Sequence, residues 1–490
     1  MDYLDPKRQA RHRLILFTGY ICTAVAIFFA TWLLLYVAYG FGISSDGKVI
    51  QNGLVFVSSQ PHPAMISVDG RRVKDTTNTR LQLPSDRYEI MLSRPGYRNW
   101  RRSIDLLGGD VRHFDYPLLI PTNLQTTSVT TYTSAVPFTT QSLDRRWLLV
   151  QRPTSILSFD LYDLKNPNQA ATTVALPSNL LTTGKQQSWQ LISWADDNRH
   201  VLLAHVYDGK TEYILVDWTT PNQSVNLTRT LNVTPRALTL DNQKYNQYIL
   251  YTSSHSLQTI SLQSSTPTTF LNQVLAYQTY GKNGVLYVTS KGAATGYVWL
   301  KLLLNGQTYT LHSLPANSHY LLNLAGYNGT LYVAAGATSE NKVYVYKDPV
   351  GQLHNLPDHA VTPIQVLHVD HPSYVSFSTN AQFVMVEGGP RFCVYDIENQ
   401  LGYSYKRQQM LDKPQTHAAW MDGDRLTYVS HGLLTMFDYD NANQQTLMSA
   451  AANELPIFTP DYHTVWVVAP RAKAGTQQLT QTSLLIPADQ

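Results

Sequence analysis

The residues that could do chemistry are few in this chain of 490 residues. Two imidazoles and the carboxylate of Asp370 lie together at residues 368–372, and zinc uses ligands of these types. Carboxylate and amide oxygens recur at residues 438–443, as in a calcium loop, but the central glycine and closing glutamate of such loops are missing. Both segments are more simply explained as solvated polar turns than as metal sites. We therefore expect no metal at either segment.

Sequence signatures of common catalytic sites are also missing. The sequence has no G-x-x-x-x-G-K-[ST] phosphate loop, no G-x-S-x-G nucleophile turn and no H-E-x-x-H zinc helix. Nucleotide-driven, nucleophilic and zinc-hydrolytic reactions thus lack their usual support. We expect no catalytic residue, no cofactor and no enzyme activity. Convergence of carboxylates from distant parts of the chain stays open at this point.

The composition favours a strand-rich, weakly charged protein. Charged residues make up 14% of the chain, against about 25% in an average protein, and 31 tyrosines add polarity. The formal net charge is +3, so no overall positive field marks a nucleic-acid binder. Of the two cysteines, Cys22 lies in an apolar segment and Cys393 lies far along the chain. We expect no disulfide between them.

A long apolar segment at residues 14–41 is the first element that positions the rest. It contains no charged residue, and about 20 apolar residues in a helix cross a bilayer core. Basic residues, Arg11 and Arg13 among them, precede it, so the positive-inside rule predicts a cytoplasmic tail at residues 1–13 and an outer location for everything that follows. A cleaved signal peptide is the alternative, but its apolar region runs only about 7 to 15 residues. The length favours a retained single-pass anchor in the cell membrane.

Short β-prone runs follow a tether predicted at residues 42–52. The runs are GLVFVSS, MISVDG, YEIML and WRRSIDL, which begin at Gly53, Met65, Tyr88 and Trp100. Turn residues separate them, and apolar side chains at alternate positions share one face of each strand. The pattern predicts a small all-β domain at residues 53–120.

The order of residues in this region resembles the PEGA domain. V-D-G at residues 68–70, L-P at 83–84, R-P-G-Y at 94–97, Trp100 and a closing Leu118 carry the resemblance. It implies a small β-sandwich of the kind found on bacterial envelope proteins, often behind a membrane anchor. It brings no catalytic residues with it. Tyr97 and Trp100 are accordingly expected in the core and not in a sugar-binding platform.

The sequence departs from the PEGA pattern at three positions. His62 and Pro63 stand where the family has the glutamate and glycine of its name, and Asp86 replaces a glycine before the central tyrosine. Proline fixes φ near −65°, so no positive φ is expected at Pro63. Aspartate tolerates the left-handed region at modest cost, so Asp86 is compatible with the domain.

Residues 121–490 repeat a unit of about 40 to 50 residues, which is the period of a β-propeller blade. Each copy has a turn rich in Asp, Asn and Gly, an apolar strand, a variable loop and a second strand that often ends in Asp. WADDNRHVLLAHVYDGKTEYILVDW is a clear copy. The rhythm resembles TolB-like and WD-type propellers, without the Gly-His and Trp-Asp pairs of the latter. We predict about eight blades, alternatively seven, with TTSVTTYTS near Thr126 pairing with the terminal TSLLIP to close the ring.

Basic residues outnumber acidic ones in the small domain. The cations are Arg71, Arg72, Lys74, Arg80, Arg87, Arg94, Arg98, Arg101, Arg102 and Arg112. They predict weak attraction to anionic lipid heads or wall polymers, about 1 kcal/mol per residue at best. A solvated surface of mixed charge is the alternative, and we favour it.

The sequence thus predicts a mainly β protein with one transmembrane helix, a PEGA-like β-sandwich and a propeller. The function that follows is a membrane-anchored, extracytoplasmic scaffold or binding protein of the bacterial cell envelope. Its expected partners are the lipid bilayer, through the helix, and an envelope protein or cell-wall polymer, through the propeller; no nucleic acid is expected. Alternatives are a propeller that binds or hydrolyses a glycan or peptide, and an envelope sensor that works through a membrane partner.

Overall fold

The computed structural model describes residues 6–38, 41–43, 49–282, 284–317, 319–355, 360–407, 411, 417–451, 455–471 and 475–489. The chain forms two compact units. The first consists of Met1–Asn123 together with Leu485–Gln490, and the second of Leu124–Leu484.

An N-terminal helix, α1, runs from Pro6 to Ala38. Proline suits the first turn of a helix, and the basic residues before the apolar segment are good helix formers. The helix therefore begins earlier than the predicted span, and it ends before Phe41, which lies in a strand. Large apolar side chains along it, Phe28 and Leu34 among them, are exposed. Arg11–Tyr36 is long and apolar enough to cross a bilayer, as an anchor or a signal sequence would be.

Eight strands lie in the described part of the small domain. They are β1 (Phe41–Ile43), β2 (Val49–Val57), β3 (Met65–Val68), β4 (Arg71–Thr76), β5 (Thr79–Pro84), β6 (Asp86–Ser93), β7 (Trp100–Leu106) and β8 (Val111–Phe114). One sheet has the order β1-β2-β5, with β8 parallel to β2, and the other has the order β4-β3-β6-β7. Val55, Ile66, Ile90, Trp100 and Phe114 are buried in one shared core, so the sheets form a sandwich.

The predicted strands of this domain are all present, and the predicted tether is partly wrong. Phe41–Ile43 pairs with residues 49–51, so both ends of residues 42–52 lie in a β-ladder. These ends carry Phe, Ile and Val, whose β-propensity overrides the turn composition of the residues between them. Asp86 starts β6 and has no positive φ, so the replaced glycine needs no left-handed residue here. Tyr97 and Trp100 are buried, as expected.

The last residues of the chain belong to the small domain. The Ile486 N–H donates to the Tyr97 hydroxyl at 3.0 Å, and this hydroxyl donates to Asp489 at 2.7 Å. Asp489 also forms an ion pair with Arg94. Burial is the main cause that raises the pKa of Tyr97. Leu485–Gln490 is therefore not part of the propeller, contrary to the predicted range 121–490.

The second unit has eight four-stranded sheets in the residues that are described. Their strands are β9 (Gln125–Tyr132), β10 (Thr139–Gln141), β11 (Trp147–Gln151), β12 (Ser158–Asp163), β13 (Thr172–Ala175), β14 (Ser188–Trp194), β15 (His200–Tyr207), β16 (Lys210–Asp217), β17 (Val225–Asn226), β18 (Ala237–Leu240), β19 (Gln247–Tyr251), β20 (Leu257–Ser261), β21 (Thr268–Leu271), β22 (Val274–Tyr280), β23 (Gly284–Thr289), β24 (Tyr297–Leu304), β25 (Gln307–Pro315), β26 (Tyr320–Tyr327), β27 (Thr330–Ala337), β28 (Lys342–Lys347), β29 (Gln365–His368), β30 (Tyr374–Phe377), β31 (Phe383–Gly388), β32 (Arg391–Asp396), β33 (Leu401–Lys406), β34 (Ala419–Trp420), β35 (Arg425–Ser430), β36 (Leu433–Asp438), β37 (Gln445–Ser449), β38 (Ile457–Phe458), β39 (Thr464–Pro470) and β40 (Gln477–Ser483). Two short helices, α2 (Leu227–Thr230) and α3 (Pro349–Asn355), lie in connections.

Seven sheets are antiparallel meanders of consecutive strands, and the eighth combines the two ends of the unit in the order β38-β39-β40-β9. The expected closure of the ring is thus confirmed for the N-terminal strand. Its partner strand, Gln477–Ser483, begins earlier than predicted and includes only Thr482 and Ser483 of TSLLIP, because the second half of TSLLIP belongs to the small domain. Across this ladder the hydroxyls of Thr126 and Thr482 hydrogen bond at 2.8 Å.

Within each blade the four strands, called A to D in sheet order, have different surroundings. A strands of neighbouring blades lie against each other, as β14 does with β18 and β22 with β26, so the A strands are innermost. The B strands are almost fully buried between adjacent blades, as in β23 and β31. The D strands are largely exposed.

The antiparallel meander gives the propeller two faces. The A–B and C–D connections lie at one edge of every sheet, which we call the turn face. The B–C connections and the D–A connections between blades lie at the opposite edge, which we call the loop face. The end of strand A, the start of B, the end of C and the start of D therefore belong to the turn face, and the other strand ends belong to the loop face.

Deletion of Leu485–Gln490 should lower the melting temperature of the small domain and leave the transition of the propeller unchanged. The deletion removes the ion pair of Arg94 and both hydrogen bonds of Tyr97, whereas the closing ladder ends at Ser483. Calorimetry of the full-length protein in detergent measures the two transitions.

The matched control is Leu479→Ala, at a fully buried position in β40. A Leu→Ala cavity costs about 2–5 kcal/mol, so this variant should lower only the propeller transition. A tail deletion that destabilises the propeller would contradict the assignment of Leu485–Gln490.

Candidate functional site

The innermost strands are the first place to look for a site, because a propeller ring brings their side chains towards its axis. The eight A strands are β10, β14, β18, β22, β26, β30, β34 and β38. None of these described strands contains Asp, Glu, Lys, Arg or His; they carry aliphatic residues, aromatic residues, amides and hydroxyls. Convergent carboxylates or imidazoles from the A strands are therefore not available for acid–base chemistry.

The A–B turns hold the nearest carboxylates, and these carboxylates are used in the turns themselves. Asp144 accepts hydrogen bonds from the hydroxyl of Ser142 at 2.5 Å and from the N–H of Arg146 at 3.1 Å. Asp461 accepts from the hydroxyl of Thr459 at 2.6 Å and from the N–H of His463 at 3.0 Å. The recurrent acidic residue is thus an Asx-type turn anchor.

The recurrent Asp at the end of a C strand has a second structural role. Asp163 forms two hydrogen bonds with Arg146, at 3.0 and 2.7 Å, and this pairing lowers the pKa of Asp163 to about 2. Asp217 pairs in the same way with Arg199, at 2.9 and 2.5 Å. Each pair joins the start of strand B to the end of strand C, which explains the Arg and Asp of the sequence repeat.

Residues 368–372 do not assemble a metal site. Asp370 forms an exposed ion pair with Arg391 at 2.9 Å, and His371 has a positive φ of 49° in the loop that follows β29. Among the described residues, no group of three or more His, Cys, Asp or Glu could hold a metal ion. This segment connects blades five and six on the loop face.

Residues 438–443 form the C–D turn of the seventh blade, as expected. Asp438 is buried, its N–H donates to the carbonyl of Ala442 at 3.0 Å, and the Asn443 amide donates to its carboxylate at 2.8 Å. These bonds turn the chain from β36 into β37. The oxygens of this segment are therefore occupied by the turn.

A buried histidine–glutamate pair in the second blade is absent from the sequence predictions. His205 and Glu212 are 2.9 Å apart between Nδ1 and Oε1, and the Nε2 of His205 lies 2.9 Å from Gln187. Glu212 also accepts from the N–H and hydroxyl of Thr182 and from the Asn226 amide. Burial opposes ionisation of Glu212, but these hydrogen bonds outweigh it and lower its pKa. Both side chains are fully engaged, so the pair fastens the loop before β14 to β16.

A second buried pair joins Glu387 of β31 to Arg407, which follows β33. Arg407 donates to Glu387 at 2.6 Å, and the Ala418 N–H donates to the other carboxylate oxygen at 2.9 Å. Burial raises the pKa of Glu387 to about 7, against the opposing effect of Arg407. A perturbed carboxyl is a feature of active sites, but both side chains here are 3% exposed, so no substrate reaches them.

A third cluster surrounds Arg425 at the start of β35. It donates to Asp422 at 2.9 Å through Nε, and Asp424 lies next to this pair. Burial and the neighbouring charge of Asp422 raise the pKa of Asp424 to about 7. The cluster lies in an A–B turn, so its role is that of the other turn carboxylates.

An open groove of about 500 Å³ lies on the turn face between the first and last blades. Its walls are Leu164, Lys165, Pro167, Thr459, Pro460, Asp461 and Thr464. Asp461 is already committed to its turn. The groove is therefore a concave surface with few polar groups available for a ligand.

The cations of the small domain divide into two groups. Arg94, Arg87, Arg101 and Arg112 have carboxylate partners, and the buried Arg102 donates to the Tyr116 hydroxyl at 3.2 Å. The exposed cations without an ion pair to any described residue include Arg71, Arg72, Lys74 and Arg80. The surface of mixed charge, which the sequence analysis favoured, stays a prediction.

Comparison with known families identifies the small domain. Residues 52–120 match the PEGA domain. This confirms the resemblance for that part of the chain. No curated protein matches the sequence.

Solved structures similar to the chain are propellers with very different sequences. The C-terminal WD40 domain of Sif2 has a TM-score of 0.48 and 10% identity, over 72% of this chain and 97% of that one. An oligogalacturonate lyase in complex with manganese has a TM-score of 0.37 and 10% identity, over 75% and 99%. The oligogalacturonate lyase of Vibrio parahaemolyticus has a TM-score of 0.36 and 11% identity, over 75% and 100%. The propeller assignment rests on the eight sheets of this chain, and these likenesses carry no argument about activity.

Asp424→Asn should stabilise the propeller above neutral pH and change little at acidic pH. The folded-state pKa of about 7 lies above the ordinary 3.8, so the fold favours the protonated carboxyl. The stability that the fold gains from the protonated Asp424 carboxyl is complete below about pH 4 and is lost as the pH rises through about 7. Asparagine stays neutral, so the variant should melt about 1–3 °C above the wild type at about pH 8, and the difference should fall towards zero as the pH is lowered to about 4.

Asp370→Asn is the matched control, because Asp370 is exposed in a two-residue ion pair. Its melting difference from the wild type should not depend on pH. Thermal melts across this pH range measure both variants, and a pH-independent Asp424→Asn difference would refute the buried, acid-favouring site.

Proposed function

We propose that this protein is a membrane-anchored, extracytoplasmic binding protein of the bacterial cell envelope, whose propeller docks a partner without catalysing a reaction. The anchor is α1, the PEGA domain follows it in the chain, and the propeller is the binding module. The PEGA match and the propeller fold support an extracytoplasmic binding scaffold in general. The proposal adds the membrane anchor, the bacterial envelope and a docked partner.

The observation that carries the proposal is the composition of the innermost strands. Enzymes on propeller folds need reactive groups within reach of one point, and the A strands supply no carboxylate, imidazole, amine or guanidinium. The nearest turn carboxylates accept hydrogen bonds from their own turns. The rim of connections is what remains available to a partner, and connecting segments on a rigid scaffold commonly carry binding.

Exposed apolar residues on α1 support the anchor. Along Arg11–Tyr36 the side chains pack against almost nothing in the described chain, and a bilayer covers such a surface. Arg11 and Arg13 at the start of this span favour an inner N-terminus. Trp32 and Tyr36 near the other end, 6.0 Å apart between ring centroids, suit the interfacial zone.

The small domain supports a mechanical role. Its apolar core is buried, and Arg94 and Tyr97 of the R-P-G-Y run hold Ile486 and Asp489. The chain therefore enters and leaves the propeller segment through residues of the small domain. We infer that this domain links the anchor to the binding module along the chain.

The alternative function, a propeller enzyme that binds or hydrolyses a glycan or peptide, gains no specific observation in favour of catalysis. The most perturbed carboxyl of the A–B turns, Asp424, lies beside Arg425 and Asp422 and has no imidazole near it in its cluster. The buried pairs of Glu212 and Glu387 are closed. The sensor alternative likewise has no observation in its favour.

Cysteine labelling in intact cells tests the proposed topology. The native Cys393 is buried and Cys22 lies within the apolar span, so a membrane-impermeant maleimide should leave the wild type unlabelled. Ser103→Cys, at an exposed position in β7, should be labelled in intact cells. His12→Cys, at an exposed position at the other end of the span, should be labelled only after permeabilisation.

Gel-shift or mass detection of the labelled protein in the membrane fraction measures each variant. Labelling of His12→Cys in intact cells would reverse the topology. Release of labelled Ser103→Cys protein into the medium would show a cleaved signal sequence and refute the anchor.

A further inference from the structure

The two faces of the propeller carry opposite charge. Each described Lys, Arg, Asp and Glu was assigned to a face by its position in the blade meander. The turn face then has more carboxylates than cations, and the loop face has more cations than carboxylates. The formal charge of the whole chain, +3, conceals this separation. A surface with an excess of one sign attracts partners of the other sign.

About half of the cations of the turn face are neutralised within the repeat. Arg146, Arg199 and Arg425 pair with Asp163, Asp217 and Asp422 at 2.7, 2.5 and 2.5 Å. Lys244 likewise pairs with Asp196. These charges serve the turns and leave little net attraction for a partner.

Just over half of the described cations of the loop face are available. Six of them are exposed and have no ion pair to any residue in the described ranges: Lys185, Lys210, Arg236, Lys291, Lys406 and Arg471. Acidic residues on the same face are fewer: Glu212 and Glu387 are buried, Asp370 pairs with Arg391, and the exposed Asp208 accepts a hydrogen bond from the N–H of Lys185. The positive charge of this face is thus both unpaired and accessible.

The available cations are concentrated in blades two to four. Lys185 enters the second blade, Lys210 follows its B–C turn, Arg236 enters the third blade, and Lys291 lies in the B–C turn of the fourth. Neighbouring polar contacts keep these loops in place: the N–H of Lys185 donates to Asp208 at 2.9 Å, and the indole of Trp299 donates to the carbonyl of Gly292 at 3.0 Å. A positive arc therefore runs across consecutive blades on ordered loops.

The spacing of this arc decides the class of ligand. Lys185, Lys210, Arg236 and Lys291 lie in four separate connections of three blades, so one small phosphate or carboxylate does not account for all four. Cationic side chains at intervals match a chain that carries one anion per repeat. We propose that the loop face of blades two to four binds a linear polyanion with repeated phosphate or carboxylate groups. This inference rests on the proposed binding function and specifies its ligand.

Charge reversal with a matched control tests the inference. The loop-face variant is Lys185→Glu, Lys210→Glu and Lys291→Glu. The turn-face control is Lys165→Glu, Lys282→Glu and Lys347→Glu, at exposed positions without an ion pair to a described residue. Both triples change the net charge of the protein equally, so only the face differs.

Binding is measured with full-length protein in phosphatidylcholine nanodiscs, against immobilised inorganic polyphosphate, alginate and neutral dextran. The wild type should bind one or both polyanions and not dextran, and its affinity should fall at least about tenfold between about 50 and about 200 mM salt. The loop-face triple should lose at least about tenfold in affinity, and the turn-face triple less than about threefold. Polyphosphate and alginate separate a phosphate-bearing from a carboxylate-bearing polymer.

Three results would overturn the inference: no polyanion binding by the wild type, equal loss in both triples, or competition by anionic vesicles but not by soluble polyanion. Circular dichroism and melting of each triple separate lost binding from lost folding. If the protein does not bind polyanions but the cysteine labelling gives the expected pattern, the proposed anchored binding protein stands and has another ligand. If the cysteine labelling contradicts the expected topology, the proposed function itself is refuted.

Discussion

The pairing of β9 with β40 is the constraint on which the second unit depends. Blades bury their B and C strands only against neighbouring blades, so a ring with an open seam would expose two apolar faces. Residues 125–132 close that seam by supplying the outermost strand of the last sheet. Closure keeps the A strands innermost and gives every blade the same orientation. The separation into a turn face and a loop face follows from it.

Much of this architecture could be predicted from the sequence, and the B and C strands show why. Val384, Met385 and Val386 of β31 are buried on both faces, so the strand reads as a continuous apolar run. A strands lack that signal because they carry polar residues near the axis, as in β22, and D strands lack it because they face solvent, as in β33. The tail at Leu485 and Ile486 was assigned to the wrong unit because its apolar residues suit a strand as well as a small docking segment.

The chemistry of the site was predictable only where it is local. The turn roles of Asp144 and Asp438 follow from residues a few positions away. Glu387 meets Arg407 and Ala418 only after the sheet has folded, and no spacing rule connects them. The charge separation could have been found in the sequence, because consecutive turns of a meander alternate between faces. To find it in the sequence, one must know which strand of a blade each segment forms, and the apolar B and C strands give that information.

Photocrosslinking from matched tyrosines in native membranes tests most directly whether the propeller docks a partner through its loop face. Tyr297 is 53% exposed at a loop-face end of β24, and Tyr245 is 40% exposed in an A–B turn on the turn face. A benzophenone amino acid keeps an aromatic ring at either position and adds a second one that reaches into solvent. The account predicts an adduct from position 297 and none from position 245. Adducts from position 245 alone, or from neither position, would contradict it.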